Sequence, residues 1–221
     1  MATLKLLEGL GQTGRMEALS DRGTMLAQWG LAAQAADTFE QLAELGRGTD
    51  PRLQLALGQA FAALGRKDRA RKALGSIAEY APQYVAAQQV AANLEDTDDA
   101  KLAVLLQAQK VKPDSSALAV QQMDILLRAK RPADALKVFG EFSARRLSGS
   151  LMPDEVRGMA LQALLETGDL SGAAALAAQA AQQSGNGRWR STAILLAYAL
   201  KPDSAKAMLP ETSAAGPYET L

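Results

Sequence analysis

Neither histidine nor cysteine occurs in this chain. Without cysteine there are no disulfides, thiolate nucleophiles or thiolate metal sites. Without histidine the commonest general base and the commonest transition-metal ligand are missing. Chemistry would have to rest on Asp, Glu, Lys, Ser, Thr or Tyr, so neither enzymatic activity nor a cofactor is expected. An excess of one charge is lacking too: 24 Lys and Arg balance 24 Asp and Glu. Proteins that track phosphates carry a clear basic excess, so nucleic acid is not an expected partner. No apolar run approaches the ~20 residues of a membrane span, and no direct membrane insertion is expected. The opening MATLKLLEGLGQTGR lacks the apolar core of a signal peptide. An export signal, if the protein is exported, would lie outside this chain.

The apolar share, 48% of the chain, is mostly Ala and Leu, residues that favour helices and let them pack closely. No strand-period alternation of any length interrupts them. The pattern is clearest in residues 50–82, DPRLQLALGQAFAALGRKDRARKALGSIAEYAP. Asp50 is a good N-cap, and Pro51 sits where a first-turn proline costs nothing. Leu53, Leu57, Ala60, Phe61 and Leu64 then fall at spacings of three and four, the stripe of one helix face. Gly65 ends that helix. A second starts near Asp68, carries Ala70, Ala73, Leu74 and Ile77 on one face, and closes by Pro82.

The hairpin recurs. Gly30, Ala35, Phe39 and Leu42 repeat the roles of Gly65, Ala70, Leu74 and Ile77, each 35 residues earlier. Ala100 with Val104, Ala135 with Phe139 and Phe142, and Gly168 with Ala173 continue the series. Trp189, Leu196, Ala205 and Leu209 finish it. Recurrence at this period marks stacked helix hairpins, none of which can bury its apolar face alone.

Quoted as it stands, LALGQAFAALGRKDRARKALGSIAEYAP resembles a tetratricopeptide repeat. The family's roles are filled by Leu57 and Gly58, Phe61, the turn glycine Gly65, the small Ala70, Leu74 and the closing Pro82. Trp189 fills the early aromatic place of the last repeat. Glu95 and Lys130 stand where the turn glycine belongs. The resemblance spans residues 16–209. Residues 1–15 read as the end of a preceding helix or a linker, and 210–221 as a tail or the start of a further repeat. It implies an all-α, right-handed superhelical solenoid of about six antiparallel helix hairpins. A concave face lined by first helices would bind other proteins, and exposed solenoid ends would allow self-association.

On that alignment the groove presents Arg52, Gln59, Gln89, Asn93, Asp124, Arg128, Gln162, Glu166, Arg190 and Tyr198, a mixed polar surface. The family subclass that captures a C-terminal carboxylate uses a Lys/Asn set. Leu55 with Gln59, or Val120 with Asp124, occupy those places here, which argues against a heat-shock co-chaperone. Pentatricopeptide repeats, which read RNA one base per repeat, share the period. They would need a basic inner face and a regular series of base-reading side chains, and neither is found.

The remaining motifs reduce to architecture. EDTDD, Glu95 to Asp99, lacks the ligand spacing and turn glycine of a calcium loop. LPETS, Leu209 to Ser213, departs from a sortase signal at Ser213. GRKDRARK, residues 65–72, reads as the solvent rim of one corner, facing the acidic corner EDTDD one repeat later. Ser143 to Glu155 forms the longest link and reads as a tolerated insertion. The expected function is a non-enzymatic protein-binding scaffold. The Ala/Gln-rich, cysteine-free repeats resemble those of bacterial envelope proteins that hold exopolysaccharide export or pilus and secretion machinery together. That resemblance points to the periplasm rather than the cytoplasm. The alternatives are a cytoplasmic adaptor and, behind it, an RNA-binding repeat protein.

Overall fold

Eleven α-helices and no strand form among the described residues, 11–145 and 151–201, in this computed structural model. They are α1 (Gln12–Gln28), α2 (Ala32–Leu42), α3 (Pro51–Ala63), α4 (Lys67–Gly75), α5 (Tyr84–Asn93), α6 (Asp98–Val111), α7 (Ser116–Arg128), α8 (Pro132–Arg145), α9 (Asp154–Glu166), α10 (Leu170–Ser184) and α11 (Gly187–Leu200). A single π-turn, Ala43–Arg47, extends α2. The start of the chain, the Ser-Gly run after Arg145, Ala205, Leu209, LPETS and the tail lie outside the described residues.

Helix starts follow from local capping. Asp50 accepts a hydrogen bond from the Arg52 amide at 2.9 Å, with Pro51 in the first turn. Thr97 caps α6 through the Ala100 amide at 3.2 Å, and Asp169 caps α10 through the Gly172 amide at 2.8 Å. The Gly172 amide and then the Ser171 hydroxyl hold the Asp169 carboxyl below its ordinary range. Asp68 is not a cap but sits inside the first turn of α4, where its charge suits the helix dipole. That helix is shorter than its apolar stripe suggests. It stops at Gly75, and Ile77 is buried from the following loop.

Four hairpin turns share one geometry. Gly30, Gly65 and Gly168 take φ of 74°, 68° and 78°, and Lys130 takes 58°. In each, the next amide reaches back five residues: Leu31 to Leu26, Arg66 to Phe61, Arg131 to Leu126 and Asp169 to Leu164 (2.8–2.9 Å). This is the Schellman closure, which wants glycine at its left-handed position. Lys130 therefore stands in register and carries strain. Lys130→Gly is expected to raise stability by about 0.5–1 kcal/mol, the steric relief less the entropy of glycine, read from the denaturation midpoint. Glu95 is different: its backbone is not left-handed, and Thr97 closes that turn by capping.

Two compact units divide the chain, Met1–Gln121 and Gln122–Leu221. In the first, Ala35 and Ala70 are completely buried where second helices meet their neighbours. Gly23 faces the Phe39 ring, and Gly58 faces Leu74; a β-carbon at either would lie 2.4–2.5 Å from that side chain. Ala100, the expected contact on α6, is only half-buried, and Leu105 with Ala108 make the closure instead. The loop after α6 is held by buried Gln109, whose Nε2 donates toward the carbonyls of Lys112, Pro113 and Ser115 (3.1, 2.7 and 3.3 Å).

The basic helix α4 is laced to acids on both sides. Arg69 pairs with Glu40 on α2, Lys67 with Asp96, and Arg71 with Glu95 at 3.1 Å. Arg69 also lies 4.1 Å above the Phe61 ring, a cation–π contact. The hydrogen bond and charge of Lys67 hold the Asp96 carboxyl below its ordinary value of 3.8. A depressed folded value means the contribution is present above the unfolded pKa and lost as pH falls through the folded one. The Asp96 titration followed by NMR should therefore centre below 3.8. In Lys67→Met it should move up toward that value; an unmoved midpoint would remove the contact from the solution structure.

The second unit is pinned differently. Ala135, Ala173, Ala177 and Ala180 are fully buried, and Trp189 lies against Ala177, Ala180 and Ala193. Asp154 at the start of α9 accepts from Trp189 Nε1 (3.0 Å), Arg157 Nη1 (3.1 Å) and Asn186 Nδ2 (3.4 Å). Arg157 is buried, and its Nη2 donates to Gln183 Oε1 at 2.6 Å.

Candidate functional site

First and second helices alike bury one stripe of residues, and each first helix also keeps an open face. All ten expected groove residues fall on first helices, two apiece. Arg52 and Gln59 are on α3, Gln89 and Asn93 on α5, Asp124 and Arg128 on α7. Gln162 and Glu166 are on α9, Arg190 and Tyr198 on α11. None is buried; Gln89 and Asp124 are half-buried and the other eight are exposed.

Within the first unit, Gln89 and Asn93 are joined to α7. Gln89 Nε2 donates to the Ala117 carbonyl at 3.3 Å. Gln121 Nε2 lies 3.2 Å from Asn93 Oδ1 and 3.4 Å from the Gln89 carbonyl. Part of their hydrogen-bonding capacity is thus spent on helix-to-helix contact. Arg52 and Gln59 line two adjoining cavities between α1 and α3, of about 260 and 430 Å³, which share Phe39, Thr24 and Ala56.

In the second unit the polar residues pair along their own helices. Arg128 forms an ion pair with Asp124 one turn away, and Gln162 Nε2 donates to Glu166 Oε1 at 2.9 Å. Such pairs neutralise each other and stay open to water, so each adds little to stability. Tyr198 is well exposed beside Leu195, also exposed, on the outer part of α11.

The solved structure of Pseudomonas aeruginosa PilF aligns with 90% of this chain and 90% of its own, at a TM-score of 0.54 and 18% identity. The fold is a tetratricopeptide-like helical repeat. Five complete hairpins and the first helix of a sixth lie among the described residues. Two further solved structures are similar at lower TM-scores. TTC0263, a thermophilic TPR protein of Thermus thermophilus, covers 84% of this chain and 98% of its own at 0.47 and 21% identity. A double mutant of MamA RS-1 covers 87% and 89% at 0.43 and 13% identity. No protein-family model and no curated protein sequence matches the chain.

In the tetratricopeptide-like frame, one wall of the α1–α3 groove escaped the sequence reading, because the candidate positions began at Arg52. Glu17 and Thr24 stand 35 residues before Arg52 and Gln59. Thr24 lines the α1–α3 cavities from the α1 side, and Glu17 lines a further cavity along α1. The period carried one repeat backward would have found them. Buried Arg157 left no such signal, since an Arg in a helix reads as surface until its neighbours are known.

Proposed function

We propose that this chain is a non-catalytic scaffold that binds other proteins along the first helices of its hairpins. The observation that carries the reading is the recurrence of an open face. Every first helix from α3 to α11 buries one stripe in the packing and still keeps two polar or aromatic side chains outside it. A repeated open face of mixed chemistry suits extended protein partners better than one small ligand. The lack of histidine and cysteine, and the mutual neutralisation of Asp124 with Arg128, support binding over catalysis.

We place the scaffold in a bacterial cell-envelope assembly of the exopolysaccharide-export or pilus and secretion kind, on the style of its Ala/Gln-rich, cysteine-free repeats. Among the described residues no helix is long and apolar enough to cross a membrane. Affinity purification from envelope and cytosolic fractions, repeated with Arg128→Glu and Arg190→Glu, tests both parts. Enrichment of a defined partner from the envelope fraction, lost in at least one variant, is the expected result. Partners drawn only from the cytosol would overturn the location. Full retention by both variants would overturn the binding face at these residues.

A further inference from the structure

We infer that the groove between α1 and α3 takes a partner segment carrying one or two Lys or Arg side chains beside a large apolar one. The inference rests on the scaffold reading and gives its first binding site a chemistry. Three cavities follow one another along α1. One, of about 310 Å³, is bounded by Met16, Glu17, Ser20 and Asp21. The next, of about 260 Å³, shares Ser20 with it and adds Asp50 and Arg52. The last, of about 430 Å³, shares Thr24, Phe39 and Ala56 with the middle one. Its other walls include Ala27, Ala60 and Ala63.

The chemistry therefore changes along α1. At one end two exposed carboxylates, Glu17 and Asp21, stand with no basic side chain among the cavity's described lining residues. At the other, alanines and the Phe39 ring surround a volume large enough for a leucine or phenylalanine side chain. Phe39 is itself fixed, since its ring presses on Gly23. An acidic segment would meet Glu17 and Asp21 with like charge, and a purely polar one would leave the apolar end holding water. Charge complementarity at one end and apolar burial at the other select the same ligand: cationic on the α1 N-terminal side, apolar toward its C-terminus.

Short fluorescein-labelled peptides with Lys-Lys and Leu-Phe in either order, so that both chain directions are covered, are titrated against the full chain by anisotropy. Control peptides replace Lys-Lys by Glu-Glu or Leu-Phe by Ser-Ser. The expected result is binding of one Lys-Lys/Leu-Phe order, weakened by salt and about tenfold or more tighter than either control. A Glu17→Lys, Asp21→Lys double variant and an Ala63→Trp variant, which fills the exposed rim of the apolar cavity, should each lose about tenfold. Gln179→Glu, exposed on a second helix of the other unit, should change nothing, and circular dichroism confirms that every variant stays folded. Equal binding of the Glu-Glu peptide, unchanged affinity in both groove variants, or no binding of any probe overturns the inference. None of these touches the scaffold reading, which fails only if the affinity purification yields no defined partner.

Discussion

Trp189→Ala is expected to destabilise the second unit by about 3–5 kcal/mol, a large part of the stability of a typical domain. The indole is 7% exposed and rests on Ala177, Ala180 and Ala193, with Leu161 and Leu196 alongside. Alanines have no side chain to swing inward, so the space left behind stays a cavity. The truncation also strips Asp154 of the indole N–H, 3.0 Å away, in the group that holds buried Arg157. Trp189→Phe separates the effects: it keeps most of the packing and drops the donor, for about 1–2 kcal/mol. Hydrogen exchange is the check. Amides of α9, α10 and α11 should lose protection in Trp189→Ala while those of α1 to α4 keep theirs. A loss below about 1 kcal/mol would mean that the alanine surfaces close up after all.

The second large effect lies where α3 meets α4. Leu74 is 1% exposed and faces Gly58, so Leu74→Ala should cost about 2–5 kcal/mol. Gly58→Ala should also destabilise, despite the better helix propensity of alanine. Its β-carbon would stand 2.5 Å from Leu74 Cδ2 and 2.6 Å from Cγ, which forces overpacking of about 1–3 kcal/mol. The double variant tells most. The new methyl occupies space that the leucine vacated, so the combined loss should fall short of the sum by about 1–2 kcal/mol. Simple additivity in urea denaturation would show that the two side chains do not compete for one volume.

Much of the architecture was legible because it depends on residues with few alternatives. Asp50-Pro51 can hardly be anything but a helix start, and Gly65 a left-handed stop. The alanines at 35, 70, 135 and 173 each mark a helix crossing too tight for a larger side chain. The pairing of GRKDRARK with the acids at 95 and 96 followed once the two turns were placed one repeat apart. Legibility failed where the period changes. Ala100 sits at the expected count, yet the turn without glycine shifts the buried face of α6 to Leu105 and Ala108. Gly23 was missed because its meaning lies in Phe39 across the hairpin, and a lone glycine does not reveal its neighbour. The candidate groove was legible only as helix faces. Which of its side chains are already engaged, as Gln89, Asp124 and Gln162 are, depends on distances that no spacing rule supplies.

The bonding of Asp154 has a consequence for the order in which a ribosome's product can mature. Arg157 leaves water in the company of Gln183, 26 residues downstream, and its carboxylate partner is completed by Trp189, 35 residues beyond Asp154. In the first unit each hairpin can settle on the one before it as soon as it emerges. The second unit closes later, because a nascent chain ending at α10 holds the Arg157 guanidinium beside a carboxylate still short of the indole N–H. Its consolidation waits for α11, so a release or stall just short of Trp189 would deliver a product whose first half is mature and whose second half is still open to proteases.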